Sequence, residues 1–508
     1  FARMPVLRKT GIRSIVNGPI TYTIDGAPLV GPIPGKRNAY CIIGLRAGLG
    51  EGGGHGWLLA QQIVHGEACY DTWCIDPRRF TSHANTELTS LKAIEDYQNE
   101  FRFHFPHEHR PAGRPAKTTS LTAVLTAENA EFTVINGWER VEYIKPSADF
   151  HPSLSFHFDE TFDIVADEVK NVRDNVGLCE VNGFNRFEIT GPDAYDFLDR
   201  LFCGFVTRKP GRVGLGYLLN DFGMVKSEAT IANIPASDRG ENRIWYGSAA
   251  ASEFHDMDWL TQHINYNEKV QIKSLTNDQT ILLLAGPKAR DVLSACSRED
   301  WSKETFPWLS VRECFIGFSA ATVMSVSFSG ELAYEIHVPN ESLYAAYLAL
   351  RKVGEAHGMK LFGSRAVESM RMEKGFLSWK ADLLTEFDPF ETGLDRFVTL
   401  DKDNFIGKSA LEKRFKEGPK QKLVSLKINC NHAPAYSGAS LMDRNKVIGT
   451  ITSGDWGHRV GMNLAYAFVD PNKSKIGAKF TLDLLGELVP VEVIAAGPYD
   501  PSHKRLQI

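Results

Sequence analysis

Six glycines fall within ten residues, Ala47-Gly-Leu-Gly-Glu-Gly-Gly-Gly-His-Gly56. Backbone without Cβ atoms can press its N–H groups against a flat or anionic ligand. A helix starting there adds the positive end of its dipole. A dinucleotide fingerprint would need an acidic residue about 20 positions on. None closes a βαβ unit here, so a second reading, a loop with tight packing needs, stays open. His104, His107 and His109 surround Glu108, a set of metal-ligating types. Pro106 and Pro111 bracket the set and no regular ligand spacing extends from it, so a solvated or linker-packed role is expected and no metal. Glu335 and His337 would share one face of a strand. Arg371 and Glu373, in a helical pattern, would not face each other. Eight cysteines (41, 69, 74, 179, 203, 296, 314, 430) include no CxxC pair, which suits buried thiols in a reducing compartment.

The chain that must position these residues is 508 residues long, and roughly three or four domains are expected from that length. Its 43% hydrophobic and 23% charged content is that of a soluble globular protein. A net charge of -5 without basic clusters argues against nucleic acid as a partner. The apolar run Trp57–Val64 is too short to span a bilayer. Phe1-Ala-Arg-Met-Pro5 is neither a signal nor a transit peptide. Strand signals follow almost at once, so the start is expected to be missing.

Short strands are expected at 13–16 and 20–24, with Asp25-Gly26 as a tight turn. The apolar run Tyr40–Leu45 leads into the glycine turn. A helix then runs from Trp57 to His65, with Gly66 suited to its C-cap. A charged helical pattern, Glu87 to Glu100, opens a connecting layer that includes the histidines. From residue 162 strands and helices mix. Strands are read at Phe187–Thr190, Gly216–Leu219, Glu228–Ala232, Thr280–Ala285 and Thr322–Ser327. Helices are read at Ala194–Phe202, Leu343–His357 and Ser364–Phe376. Gly191-Pro192 and Gly286-Pro287 each stand between a strand and a helix and hint at a duplicated α+β unit. Evenly spaced short strands over 421–508 predict a small β-barrel or sandwich. The fold class expected is α+β multidomain.

These segments resemble two known families. Asn17–Gly35, the Gly44–Gly56 run and Asp76-Pro-Arg-Arg-Phe80 look like the end of the flavin domain of FAD-linked amine dehydrogenases, a family that includes the dimethylglycine and sarcosine dehydrogenases. Ala112-Gly-Arg-Pro115 and Gly137-Trp-Glu-Arg140 resemble the linker of the same enzymes. Residues 162–508 resemble the folate-binding glycine cleavage T-protein (aminomethyltransferase) family, through Val181–Asp193, Ser329–Glu335, Arg371-Met-Glu373, Pro389–Leu394, Asn404–Leu411 and Ile451–Gly454. The resemblance implies a remnant of a FAD-dependent oxidoreductase domain over 1–81, a connecting domain over 82–161, a T-protein-like folate-binding domain over 162–420 and a C-terminal β-barrel over 421–508. The family's dinucleotide fingerprint and FAD-holding segment are not in this sequence, so it is expected to be the C-terminal part of such an enzyme.

The same resemblance implies a chemistry. An N-methylated amino acid is oxidised to an iminium by FAD, and tetrahydrofolate takes the one-carbon unit to give methylenetetrahydrofolate. Gly48, Gly50, Gly52 and Gly53 sit at the implied flavin contact, and Arg46 would add positive charge there. Glu228 falls where the T-protein family has a catalytic aspartate, with Ser227 replacing the preceding acid. Glu335 matches the glutamate that anchors the pterin, since a carboxylate accepts two N–H bonds from an aminopyrimidine edge. Phe184, Phe328 and Trp379 match positions around the pterin and aminobenzoyl rings. Asp382 matches a family Gly-x-Asp aspartate, with Lys380 in place of the glycine, and Arg371 is read as structural. The implied partners are the methylamine, folate, and an electron-accepting protein or oxygen. Mitochondrial matrix and bacterial cytoplasm both suit. Two other readings are a flavin-independent folate-dependent methyltransferase or demethylase, and a non-catalytic folate-binding module.

Overall fold

Val30 is fully buried on a short strand, β1 (Leu29–Pro32), which pairs antiparallel with β2 (Tyr40–Ile43). The computed structural model describes residues 3–235 and 243–508. The strands expected at 13–16 and 20–24 do not form. Ile15 and Val16 are 82% and 94% exposed, with no neighbouring strand to complete a ladder, and an unpaired strand is not stable in water. The expected glycine turn is also corrected. The glycines are the opening turns of helix α1 (Gly48–His65). A Cβ built at Gly48, Gly50, Gly52, Gly53, Gly54 or Gly56 would meet nothing within 4 Å. Packing within this chain therefore demands none of them. Gly66 closes the helix in the left-handed region, φ 80°, as the sequence predicts.

Helix α2 (Thr86–Asn99) matches the charged pattern and is capped by the Asn85 side chain, which accepts from the Leu88 N–H at 2.9 Å. A short helix α3 (Thr122–Ala127) precedes a hairpin of β3 (Ala130–Ile135) and β4 (Trp138–Ile144). Leu121, Leu125, Phe132 and Val141 from this segment enter the largest apolar core. Helix α4 (Thr161–Asp174) follows, then β5 (Val176–Val181).

The duplicated unit is present in the topology. The first copy is β6 (Phe184–Thr190), α5 (Ala194–Leu201), β7 (Val213–Leu219), β8 (Val225–Ile234), β9 (Arg243–Ala250), α6 (Glu253–Gln262) and β10 (Gln271–Ser274). The second is β11 (Gln279–Ala285), α7 (Ala289–Cys296), β12 (Val311–Ile316), β13 (Ser319–Met324), β14 (Ala333–Pro339), α8 (Leu343–Gly354) and β15 (Met359–Leu361). The sheets run β10-β6-β9-β8-β7 and β15-β5-β11-β14-β13-β12. The orders correspond strand for strand, except that β5 is inserted between β11 and β15. Each Gly-Pro glycine turns the chain from strand to helix at positive φ, 116° at Gly191 and 129° at Gly286. A Cβ there would lie 2.1 Å from the Lys269 carbonyl oxygen and 2.5 Å from that of Asn175. Only glycine fits either corner. The two sheets join where Val213 N–H donates to Leu309 O and Val311 N–H donates to Gly211 O, both at 2.9 Å.

Helix α9 (Ser364–Lys374) carries the chain across to the last body, with α10 (Lys408–Glu417) between. That body is a closed barrel in the order β16-β19-β18-β17-β20-β21. Its strands are β16 (Lys422–Ile428), β17 (Ser440–Asp443), β18 (Lys446–Gly457), β19 (Met462–Val469), β20 (Lys479–Leu484) and β21 (Glu487–Ile494). Leu426, Leu441, Ile451 and Leu482 fill it. Among the described residues, no helix is long and apolar enough to cross a membrane.

Candidate functional site

Strand alternation sends Ser227 and Glu228 of β8 to opposite faces. The register sets Tyr217 of β7 directly opposite Glu228. The Tyr217 hydroxyl donates to Oε2 of Glu228 at 2.8 Å. Burial pushes the Glu228 carboxyl up to about 7, against the opposing pull of that hydrogen bond. A carboxyl poised there can take and return a proton at neutral pH.

Trp379 stands beside the same strand, its indole N–H donating to the Lys226 carbonyl at 3.2 Å. Its ring meets Trp73 at 4.9 Å and His255 at 5.6 Å. Lys380 holds a left-handed φ of 63°, a conformation that favours glycine, and pairs with Asp71 at 2.6 Å. The buried Asp71 carboxyl pays desolvation but is held at about 2 by Lys380 and by N–H donors. Trp73 and Asp71 belong to the flavin-resembling segment, so this aromatic and ionic seam joins the two modules. Lys226 adds an ion pair to Glu67.

Ser227 points the other way, toward Asp256. That buried carboxylate also accepts from Ser248 at 2.5 Å, Tyr246 at 3.1 Å and His255 Nδ1 at 2.8 Å. Burial holds His255 down at about 4, so it is neutral at physiological pH. With Nδ1 held by Asp256, its ring lines a polar cavity together with Trp73, Arg78, Lys226 and Lys380.

A second group of site candidates lies where β14 of the other sheet meets β6 and β9 of the first. Glu335 of β14 is partly exposed, and its Oε2 lies 3.3 Å from Nε2 of His337, so the expected shared face is real. The buried His337 ring meets the edge of Trp245 at 4.7 Å. Fully buried Arg186 feels the charge of Glu335, and its Nε and Nη1 have no partner among the described residues. Phe184 lies under the Arg140 guanidinium at 4.8 Å, and Phe328 stacks on Phe376 at 6.1 Å. No hydrogen bond, ion pair or ring contact joins Glu335 to Trp379 among the described residues. The folate candidates are thus not joined by direct contact into one cluster: Glu335 lies on β14 of the second sheet, Phe184 on β6 of the first, and Phe328 and Trp379 outside the strands of both.

At the implied flavin contact, α1 begins without a side-chain cap. Arg46 does not stand free there. Its Nη1 pairs with Asp96 at 2.8 Å, and its guanidinium covers the Tyr22 ring at 5.1 Å. His107 and His109 both reach Glu142, at 2.8 and 2.5 Å, and against the upward push of burial hold its carboxyl at about 2. Arg371 bonds Asp382 at 2.8 Å, and Asp382 also accepts from Thr452 at 2.6 Å and from the Ser378 N–H at 2.9 Å. Both are fully buried and tie α9 to the barrel.

Sequence reading missed Tyr217, Trp73, Arg186, Trp245 and the His255–Asp256 pair. The adjacent His-Asp dipeptide beside Trp259 was the one visible signal. The others become neighbours only through strand register or through the module seam.

Family models match in order along the chain. The FAD dependent oxidoreductase central domain matches residues 65–119, the GCVT N-terminal domain 121–402, and the glycine cleavage T-protein C-terminal barrel domain 421–500. The chain is similar to human mitochondrial dimethylglycine dehydrogenase, 33% identical over 99% of this chain and 58% of that protein. It is 29% identical to mouse mitochondrial sarcosine dehydrogenase over 99% of this chain and 60% of that one. It thus spans about three-fifths of the length of these relatives. Among solved structures, the aminomethyltransferase T of the Bartonella henselae glycine cleavage system shares the fold at TM-score 0.65 and 21% identity, covering 76% of this chain and 98% of that one.

Proposed function

The chain belongs to the glycine cleavage T-protein family, and from that premise we propose that it carries the folate-dependent half of an oxidative demethylation of an N-methylated amino acid, of dimethylglycine or sarcosine type. FAD, when bound, supplies the two-electron oxidation of the N-methyl carbon. Gly48, Gly50, Gly52 and Gly53 fit a flavin contact, because their backbone is open and the helix end is uncapped. Arg46 fits it less directly, being engaged by Asp96. An electron-accepting protein or oxygen would take the electrons onward.

The folate step balances within the residues of this chain. A ring nitrogen of tetrahydrofolate attacks the iminium carbon, and a second C–N bond to folate replaces the bond to the amine. The two folate N–H protons end on the departing amine. Glu228 is the proton carrier between them. Its buried carboxyl, held by the Tyr217 hydroxyl at 2.8 Å and pushed by burial up to about 7, supports this reading most directly. Glu335 would hold the pterin by its amino edge, with His337 and Trp245 behind it. Phe184, Phe328 and Trp379 would cover the flat rings.

The experiment is Glu228→Gln in the intact enzyme. Methylenetetrahydrofolate formation should fall by a factor of about 10² to 10⁴, the usual worth of general acid–base catalysis. Formaldehyde should then appear in its place, while folate still binds. A variant that makes methylenetetrahydrofolate at the wild-type rate removes Glu228 from the mechanism. Yellow colour in the purified intact protein separates this function from a flavin-independent methyltransferase.

A further inference from the structure

Glu228 is one methylene longer than the aspartate of its family, and a longer carboxylate is a looser one unless something holds it. Tyr217 does so. The two residues are a cross-strand pair on neighbouring strands. The Tyr217 ring is 3% exposed, wedged against Phe397 at 5.1 Å, and among the described residues its hydroxyl has a single partner, Oε2 of Glu228 at 2.8 Å. Oε1 of Glu228 accepts no hydrogen bond among the described residues.

We propose that Tyr217 is the positioning residue of the folate step: its phenol anchors one oxygen of Glu228, so that the other alone is presented to the substrate. This rests on the proposed role of Glu228. Tyr217 itself touches no reacting atom, because its hydroxyl is already engaged. The anchor also tunes charge. A donor stabilises the ionised carboxylate and so opposes the upward push of burial. Among the described residues, Tyr217 is the one titratable group that acts directly on Glu228. The charges of Arg396 and Cys203 act on the phenol. Lys226, two residues along the same strand, is engaged by Glu67.

The test is Tyr217→Phe, which removes one oxygen and keeps the ring. On the chain alone, infrared spectroscopy follows the protonated-carboxyl band that Glu228→Gln abolishes. Its midpoint, near 7 in the wild type, should move up in Tyr217→Phe by about one unit, a tenfold change in the proton equilibrium. Folate affinity should be unchanged. In the intact enzyme, kcat for methylenetetrahydrofolate at pH 7 should fall about fivefold, as the ionised fraction drops from about one half to about one tenth, with an unchanged folate KM, and recover toward pH 9 as the carboxyl ionises. Glu228→Asp, too short to reach the phenol, should show the same loss, and the double variant should lose no more than either single one.

A midpoint and a rate that stay in place in Tyr217→Phe overturn the proposal. So does loss of folate affinity with no change in midpoint, which would mark Tyr217 as mere packing. If Tyr217→Phe does not fold, Glu228→Asp alone decides by the same midpoint. Wild-type turnover in Glu228→Gln would overturn the proposed function itself, a different result from any of these.

Discussion

Arg173 is fully buried with Glu331 at 3.0 Å and Glu373 at 2.6 Å, and its guanidinium lies 3.8 Å from the centre of the Tyr499 ring. Arg505 reaches Glu331 from the chain end at 3.0 Å. Two carboxylates with no exposed surface share this cation, and Glu331 has Arg505 besides. Arg173→Met should therefore cost about 3–5 kcal/mol in urea unfolding, because it strands buried charge rather than merely removing an attraction. Glu373 is also tied to the barrel through the Val460 N–H at 3.0 Å. Individual residues are unevenly legible in the sequence. Glu228, Glu335 and Arg371 stand inside ordered motifs, so their strands and helix can be named from the chain. Tyr217 lies eleven residues before Glu228, and nothing in that spacing announces a contact. It arises from the register of a hairpin. Arg46 reads in sequence as a cation near a ligand, and only the folded chain reveals Asp96 beside it.

At the scale of elements, two sets of glycines look alike in sequence and behave oppositely. Gly286 sits at φ 129°, and a methyl group added there would stand 2.5 and 2.6 Å from the carbonyl oxygens of Asn175 and Val172. Gly286→Ala should cost several kcal/mol, of the order seen when strain and overpacking combine, in thermal or urea unfolding. Gly52 in α1 has regular helical backbone and nothing within 4 Å. Gly52→Ala should instead stabilise the isolated chain by about 1 kcal/mol. If the flavin reading holds, the same substitution should weaken FAD retention in the intact enzyme. Retention equal to wild type would leave the glycine run without that role. The Gly-Pro corners are legible because each must break a strand into a helix. The helix through the glycine run is not, since propensity argues against it and only its tail, Trp57–His65, carries a helical pattern.

For the whole molecule, burial sets opposing pH dependences. Glu168 caps the Ile144 and Gly363 N–H groups at 2.7 and 3.0 Å, yet burial pushes its carboxyl up to about 7. From its unfolded value of 4.5 up to about 7 the folded state keeps a proton that the unfolded state has released. Stability from this group is therefore full below 4.5 and is lost as pH rises through 7. His83, His255 and His458, held at about 4 by burial, act in the other direction below 6.5. The net curve mixes both, so the clean measurement is a difference. From pH 5 to pH 8, Glu168→Gln should gain on the wild type by about 3 kcal/mol in urea unfolding. A constant gap would show that Glu168 does not titrate there. The order of modules is legible from end to end, because barrel, duplicated unit and glycine run each have their own pattern. The seam of Trp73, Trp379, Asp71 and Lys380 is not, because it pairs residues some 300 positions apart.

The junction between the two halves of the duplicated unit has a protective side. Open β-sheets invite foreign strands along their borders. Here the border of each half is partly occupied by the matching border of its sister, through Gly211, Val213, Leu309 and Val311. Internal repetition thus lets the chain shield one of its own sheet margins, a safeguard that a lone copy of the unit would lack.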